Sequence, residues 1–245
     1  MPRRPLGVLA LGLILATAAA ARAQEAPPAS DAQPPVVRPA GAEPQPEPSP
    51  VRWEGTTAIL GNVRLDSATK TVSATGWVNQ TEGAVEVLAC GLEGKVHEAV
   101  FVLPLNPLDL QAALLLAGLK SGEPMPALGE GPPRGDPVDV FVDWQAADEA
   151  RSARAESFLW DVVANAPLPE TPWCFTGSVV KNGRFQAFAE DTYVASYWDP
   201  FAIVNLPLPC AGNDEALHAH SNSVPPYHTP VTFRFVPRPP AADAP

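Results

Sequence analysis

Positive charge is scarce in this chain. Its 245 residues carry 16 Lys and Arg against 27 Asp and Glu, a formal net charge of -11. So acidic a chain is repelled by phosphate backbones and anionic lipid surfaces, which argues against nucleic acid as a partner. Cysteine is scarcer still. Cys90, Cys174 and Cys210 stand far apart with no C-x-x-C pair, which excludes the clustered thiolates of an iron–sulfur site. In an oxidising compartment the three allow one disulfide and one free thiol, in any of three pairings; three buried thiols are the alternative. G-x-S-x-G, the P-loop, the dinucleotide fingerprint and H-E-x-x-H are all missing, so no familiar catalytic signature is present. Past the N-terminus no apolar run is long enough to span a bilayer.

Proline, by contrast, is plentiful, at 31 residues. Nine of these fall in residues 24–50, a stretch with no aromatic residue. Proline removes backbone donors and fixes φ, and the segment has too few large apolar groups for a core. A disordered Pro-rich tether is expected there. Ahead of it, Arg3 and Arg4 precede an apolar run over residues 6–20, followed by Ala21-Arg22-Ala23. That order predicts a signal peptide over residues 1–23, with a membrane anchor as the alternative. Its removal takes away three arginines and no acid, moving the charge from -11 to -14. The expected product is exported, periplasmic or secreted, and does not insert into the membrane once the leader is cleaved. Residues 51–237 form the expected folded domain and residues 238–245 a disordered tail.

Within the domain, apolar runs at 58–65 and 71–78 flank a polar turn and read as a hairpin. A second hairpin is expected from 84–90 and 95–103 around Gly91–Gly94. Asn106 and Pro107 supply N-cap and N1 for a helix over 108–120 that is apolar nearly all round. Such a helix belongs in the centre of the domain, and Leu115→Asp is expected to prevent folding. Val138–Trp144 alternates as a strand. Asn182-Gly183 marks a tight hairpin between 173–181 and 184–189, and 193–198 and 231–236 add strands. The fold class this predicts is α+β: antiparallel β-hairpins packed around one buried apolar helix, in a single domain.

Ala89-Cys90-Gly91, Gly94-Lys95-Val96-His97-Glu98, Thr176-Gly177-Ser178, Gly183-Arg184-Phe185, Asp199-Pro200 and Pro225-Pro226 together make the chain resemble the YdjY-domain family. The resemblance spans roughly residues 62–237. It implies an exported domain and assigns no reaction or catalytic residue.

Glu86, Cys90, Lys95, His97 and Glu98 form the tightest cluster of polar and titratable groups in the chain. On the expected hairpin, Glu86, Cys90, Lys95 and His97 share one face and Glu98 turns to the other. Glu86 would then orient His97 as a titrating group and Lys95 would anchor an anion. The alternative is a hydrogen-bonded structural cluster. Cys210, His218, His220 and His228 are weak candidates for a metal, because their spacing matches no closed site. Glu190, Asp191 and Asp199 are read as turn and cap residues rather than calcium ligands. Trp173, Phe175, Tyr193, Tyr197 and Trp198 read as core before they read as a carbohydrate platform. The function expected is a non-enzymatic binding or assembly module of the cell envelope, working on a small ligand or an envelope protein with no cofactor. A hydrolase or metal-assisted enzyme using the His97 cluster, or a periplasmic redox partner, is the alternative.

Overall fold

The computed structural model describes residues 47–238. The expected signal peptide, the tether over 24–46 and the tail over 239–245 lie outside the described residues. The chain opens with β1 (Arg52–Glu54), β2 (Thr57–Leu60), β3 (Val63–Asp66), β4 (Thr71–Val78), β5 (Val87–Cys90) and β6 (Ala99–Val102). Helix α1 (Pro107–Leu116) follows, then β7 (Asp136–Ala146), β8 (Glu149–Arg154), β9 (Leu159–Asp161), β10 (Ala166–Pro167) and β11 (Trp173–Phe175). The remainder is β12 (Val180–Lys181), β13 (Arg184–Phe185), the single-turn α2 (Gln186–Ala189), β14 (Thr192–Ala195), β15 (Val204–Asn205), β16 (Leu217–Ala219) and β17 (Pro230–Pro237).

Eight of these strands close a barrel in the order β4-β17-β7-β11-β15-β14-β5-β6, with β6 returning to pair with β4. This overturns the expected α+β arrangement around a buried helix. The protein is mostly β, with two short helices among the described residues. An eight-stranded barrel has an interior just wide enough for side chains, so it has no room for a helix. Val138, Val140 and Val142 of β7 and Phe233 and Phe235 of β17 fill it, all fully buried. Phe101 meets Phe158 and Phe233 edge-on, with ring centroids 5.3 and 5.1 Å apart.

The seam lies on β4. One edge pairs with β17; the other gives residues 71–74 to β3 and residues 77–78 to β6. Gly76 lets β6 come this close, since a Cβ there would fall 2.1 Å from the Val102 carbonyl oxygen. The first expected strand, 58–65, is split by a turn at Gly61-Asn62 into β2 and β3, which with β1 extend the sheet beyond the seam. The Asn182-Gly183 turn forms, but with only two residues of strand on each side.

Helix α1 lies outside the barrel, against β2, β3 and β4. Asn106 caps it, accepting the Leu108 N–H at 3.0 Å, with Pro107 at N1. It ends earlier than expected. Gly118 takes φ 101°, its N–H bonds to the Leu115 carbonyl and the Leu119 N–H to that of Leu114, a Schellman motif. Leu110, Ala113 and Leu114 are buried, whereas Leu115 and Leu116 are 47% and 51% exposed. A helix lying on a barrel wall buries one stripe whatever the composition of the other. The expectation that Leu115→Asp prevents folding is therefore withdrawn.

The second expected hairpin does not form. Strands β5 and β6 are parallel neighbours, with Val87 opposite Ala99, Ala89 opposite Phe101 and Cys90 opposite Val102. Between them the chain loops back through Gly91–Gly94 and a 3-10 turn at Val96–Glu98. The face-sharing of Cys90, Lys95 and His97 expected from a hairpin falls with it.

Candidate functional site

A cleft opens at the end of the barrel where parallel strands β5 and β6 finish. Its volume is about 660 Å³, within the usual range of small-ligand sites. Leu92, Pro104, Leu105, Pro107 and Phe188 give it apolar walls; Asp109, Asp191, Arg184 and Asn62 supply polar edges.

Each polar edge is set by local structure. Asp191, in a left-handed conformation (φ 51°), turns its carboxylate under the β5–β6 loop. Its backbone oxygen accepts the Gly91 N–H at 2.8 Å and Oδ2 accepts the Glu93 N–H at 2.8 Å. The Tyr193 hydroxyl lies within hydrogen-bond reach of Asp191 Oδ1 and of the Leu105 carbonyl oxygen. Burial first, then Asp191, push the Tyr193 phenol well above its ordinary range, so it stays protonated and acts as a donor. A Cβ on Gly91 would sit 2.1 Å from the Asp191 carboxylate oxygens, so a glycine is needed for this close approach. Asp109, in the first turn of α1, is 1% exposed. Its Oδ1 accepts the Ser49 N–H at 2.7 Å and its Oδ2 the Ser49 hydroxyl at 2.8 Å. Asn106 Nδ2 donates to the Glu47 carbonyl at 3.1 Å. The last residues of the expected tether are thus seated on the domain. At the other terminus Arg238, assigned from sequence to the tail, is held by two bonds to Asp139.

The cluster singled out in the sequence is divided. Lys95 and Glu86 form an ion pair. Burial lowers the Lys95 pKa, but the bond to Glu86 and the charges of Glu86, Glu98 and Asp199 outweigh it and the net shift is upward. Glu86 and Glu98 border a shallow depression of about 290 Å³ together with Asp214, Glu215 and His218. His97 leaves the group: its side chain is 75% exposed, 3.8 Å from Glu98. Its expected partner was Glu86, but the 3-10 turn carries it outward. Cys90 is fully buried in a small second core with Val87, Ala99 and Val102.

Burial and the charge of Asp191 raise the Cys90 thiol to about 12; burial and Asp136 do the same for Cys174. All three cysteines are free. The candidate metal residues are scattered. His220 bonds Ser157 and Ser223, His228 stacks on Tyr227 at 3.9 Å, Cys210 lies beside Asp161 and His218 borders the acidic depression. Among the described residues no three His, Cys, Asp or Glu side chains are placed to hold a metal ion. Trp173 and Tyr193 are core residues. Asp199 is buried and accepts the Phe201 N–H at 2.8 Å in a turn.

Sequence reasoning missed the cleft. Asp109 is singled out by no motif, and Asp191 reads only as a turn residue. No curated protein and no solved structure matches the chain. The family model for the YdjY domain matches residues 63–236, from the third strand to the last, and the chain belongs to the YdjY-domain family.

Proposed function

We propose that this is an exported, soluble protein of the cell envelope, periplasmic or secreted, that works as a non-enzymatic binding or assembly module. Its ligand, a small molecule or a segment of an envelope protein, is held in the cleft at the end of the barrel. The leader-like N-terminus, the Pro-rich tether and the acidic composition support export and display. No described helix is long and apolar enough to cross a membrane.

The observation that carries the reading is the cleft itself, with apolar walls and carboxylates already committed to the fold. Asp109 accepts two bonds from Ser49, and Asp191 accepts from Glu93 and Tyr193, so both carboxylates already serve to hold local structure. Two features weigh against the enzymatic and redox alternatives. His97 is solvent-exposed and away from Glu86, and the Cys90 and Cys174 thiols are held protonated.

An uncharged, polarity-sensitive fluorescent probe such as Nile red tests the site. Leu92 lines the cleft yet is 58% exposed, so Leu92→Asp changes the wall without disturbing the core. Probe affinity should fall about tenfold, the worth of one apolar side chain, with the melting temperature unchanged. Equal probe binding by the folded variant would remove the cleft from consideration.

A further inference from the structure

One rim of the cleft is formed by a stretch of this chain, through Ser49. Residues 47–50, Glu-Pro-Ser-Pro, run without regular secondary structure along the first turn of α1. Two side chains there read that stretch: Asp109 takes both the N–H and the hydroxyl of Ser49, and Asn106 takes the Glu47 carbonyl. The contact is built. Asp109 is 1% exposed. A Cβ on Gly61 would meet Asp109 Oδ2 at 2.5 Å and Ser49 Oγ at 2.9 Å, so the β2–β3 turn leaves room for this meeting only because residue 61 is glycine.

The bonds depend little on identity outside the serine, since one N–H, one hydroxyl and one carbonyl are used. Prolines on both sides hold the segment extended and contribute no donors, so its ordering costs little. Ser49 lines only one corner. The cleft runs on past it between Leu92, Leu105 and Phe188, and a further depression of about 230 Å³ shares Gly61 and Asn62 with it and continues along Arg64, Ser73 and Thr75. The two depressions meet at Gly61 and Asn62, and Ser49 is part of the wall of the larger one.

We infer that the cleft accepts an extended proline-rich peptide from a partner protein, with Asn106 donating to a backbone carbonyl and Asp109 accepting the N–H and hydroxyl of a serine two residues on, and that residues 47–50 hold Asp109 and Asn106 until such a peptide displaces them. The inference rests on the binding reading above and names its ligand class.

The test uses the full-length protein and a fluorescein-labelled synthetic peptide copying residues 43–50, read by fluorescence anisotropy. Ser49→Pro removes both donors of the cis segment, and Ser49→Ala only the hydroxyl. Peptide should bind the Ser49→Pro protein about tenfold tighter than the wild type, with Ser49→Ala between them, because a tethered competitor has been weakened. Adding Asp109→Asn to Ser49→Pro should abolish that gain, as should replacing the peptide's serine with proline. Equal peptide affinity for wild type and both Ser49 variants would overturn the proposal, as would binding indifferent to Asp109→Asn. Dimerisation of Ser49→Pro without peptide would overturn it in favour of a second copy as occupant. If peptide fails while the apolar probe still binds in a Leu92-dependent way, the peptide assignment falls and the binding cleft stands.

Discussion

One wall of the barrel, β4, β17 and β7, is long and alternating; the opposite wall, β5, β6, β14 and β15, is short and buried throughout. The first three strands have 8, 8 and 11 residues, with inward valines and phenylalanines between outward polar groups. The other four have four residues or fewer, all buried. Leu88 and Ala89 of β5 face the main core, while Val87 and Cys90 enter a second cluster covered by Trp77 and Val96. A strand buried on both faces carries no alternation, and without alternation neither register nor direction can be read from it. The cleft and the Glu86–Lys95 pair belong to that illegible side.

The contrast predicts different kinds of damage. The largest effect is expected on the long wall. Phe233→Ala, which removes a ring packed on Phe101, should cost about 3–5 kcal/mol in chemical denaturation. A cost near that of a surface change would mean that the wall is not the structural base of the barrel.

On the short side the dominant effect is electrostatic. Burial raises Asp199 from 3.8 to about 6, against the opposing Phe201 N–H and Lys95 charge. The folded state therefore holds a proton that the unfolded chain has released. The resulting stability is complete below pH 3.8 and is lost as pH rises through about 6, on the order of 3 kcal/mol. Asp199→Asn should match wild type in acid and exceed its stability above neutral pH. Parallel stability–pH curves for the two proteins would refute this.

Smaller again is Asp191→Ala, which leaves the Glu93 N–H without its acceptor and the Tyr193 hydroxyl with the Leu105 carbonyl alone. It should cost about 1–3 kcal/mol and speed amide exchange in residues 91–94, leaving exchange in β4, β17 and β7 unchanged. Exchange rising equally on both walls would show that the loop is not a separate unit. The smallest effect belongs to Leu115→Asp, about 1 kcal/mol or less, since the side chain faces solvent near the helix C-terminus. Failure of that variant to fold would return α1 to the core.

The sequence by itself determined whatever depends on neighbours along the chain. Alternation marked Val138–Trp144 and Val231–Val236 as strands, Asn106-Pro107 started α1, and Asn182-Gly183 made its turn, because period and cap chemistry act over a few residues. Glu86 and Lys95 read only as sharing a face, with Glu86 set against His97, on a hairpin that does not form; their ion pair belongs to the tertiary structure. Tertiary structure alone decided the rest. Closure through β6 and β4 left no interior space for α1, so an all-round apolar helix came to show two leucines to solvent. Asp191, a hundred residues from Gly91, holds the loop between the parallel strands β5 and β6 through the Gly91 and Glu93 N–H groups. Ser49 and Asp109, sixty residues apart, met at the edge of a cleft that neither segment encodes. Closing a sheet on itself and burying a charge against a distant partner are choices of the whole chain, because their free energy comes from contacts that exist only once the barrel is shut.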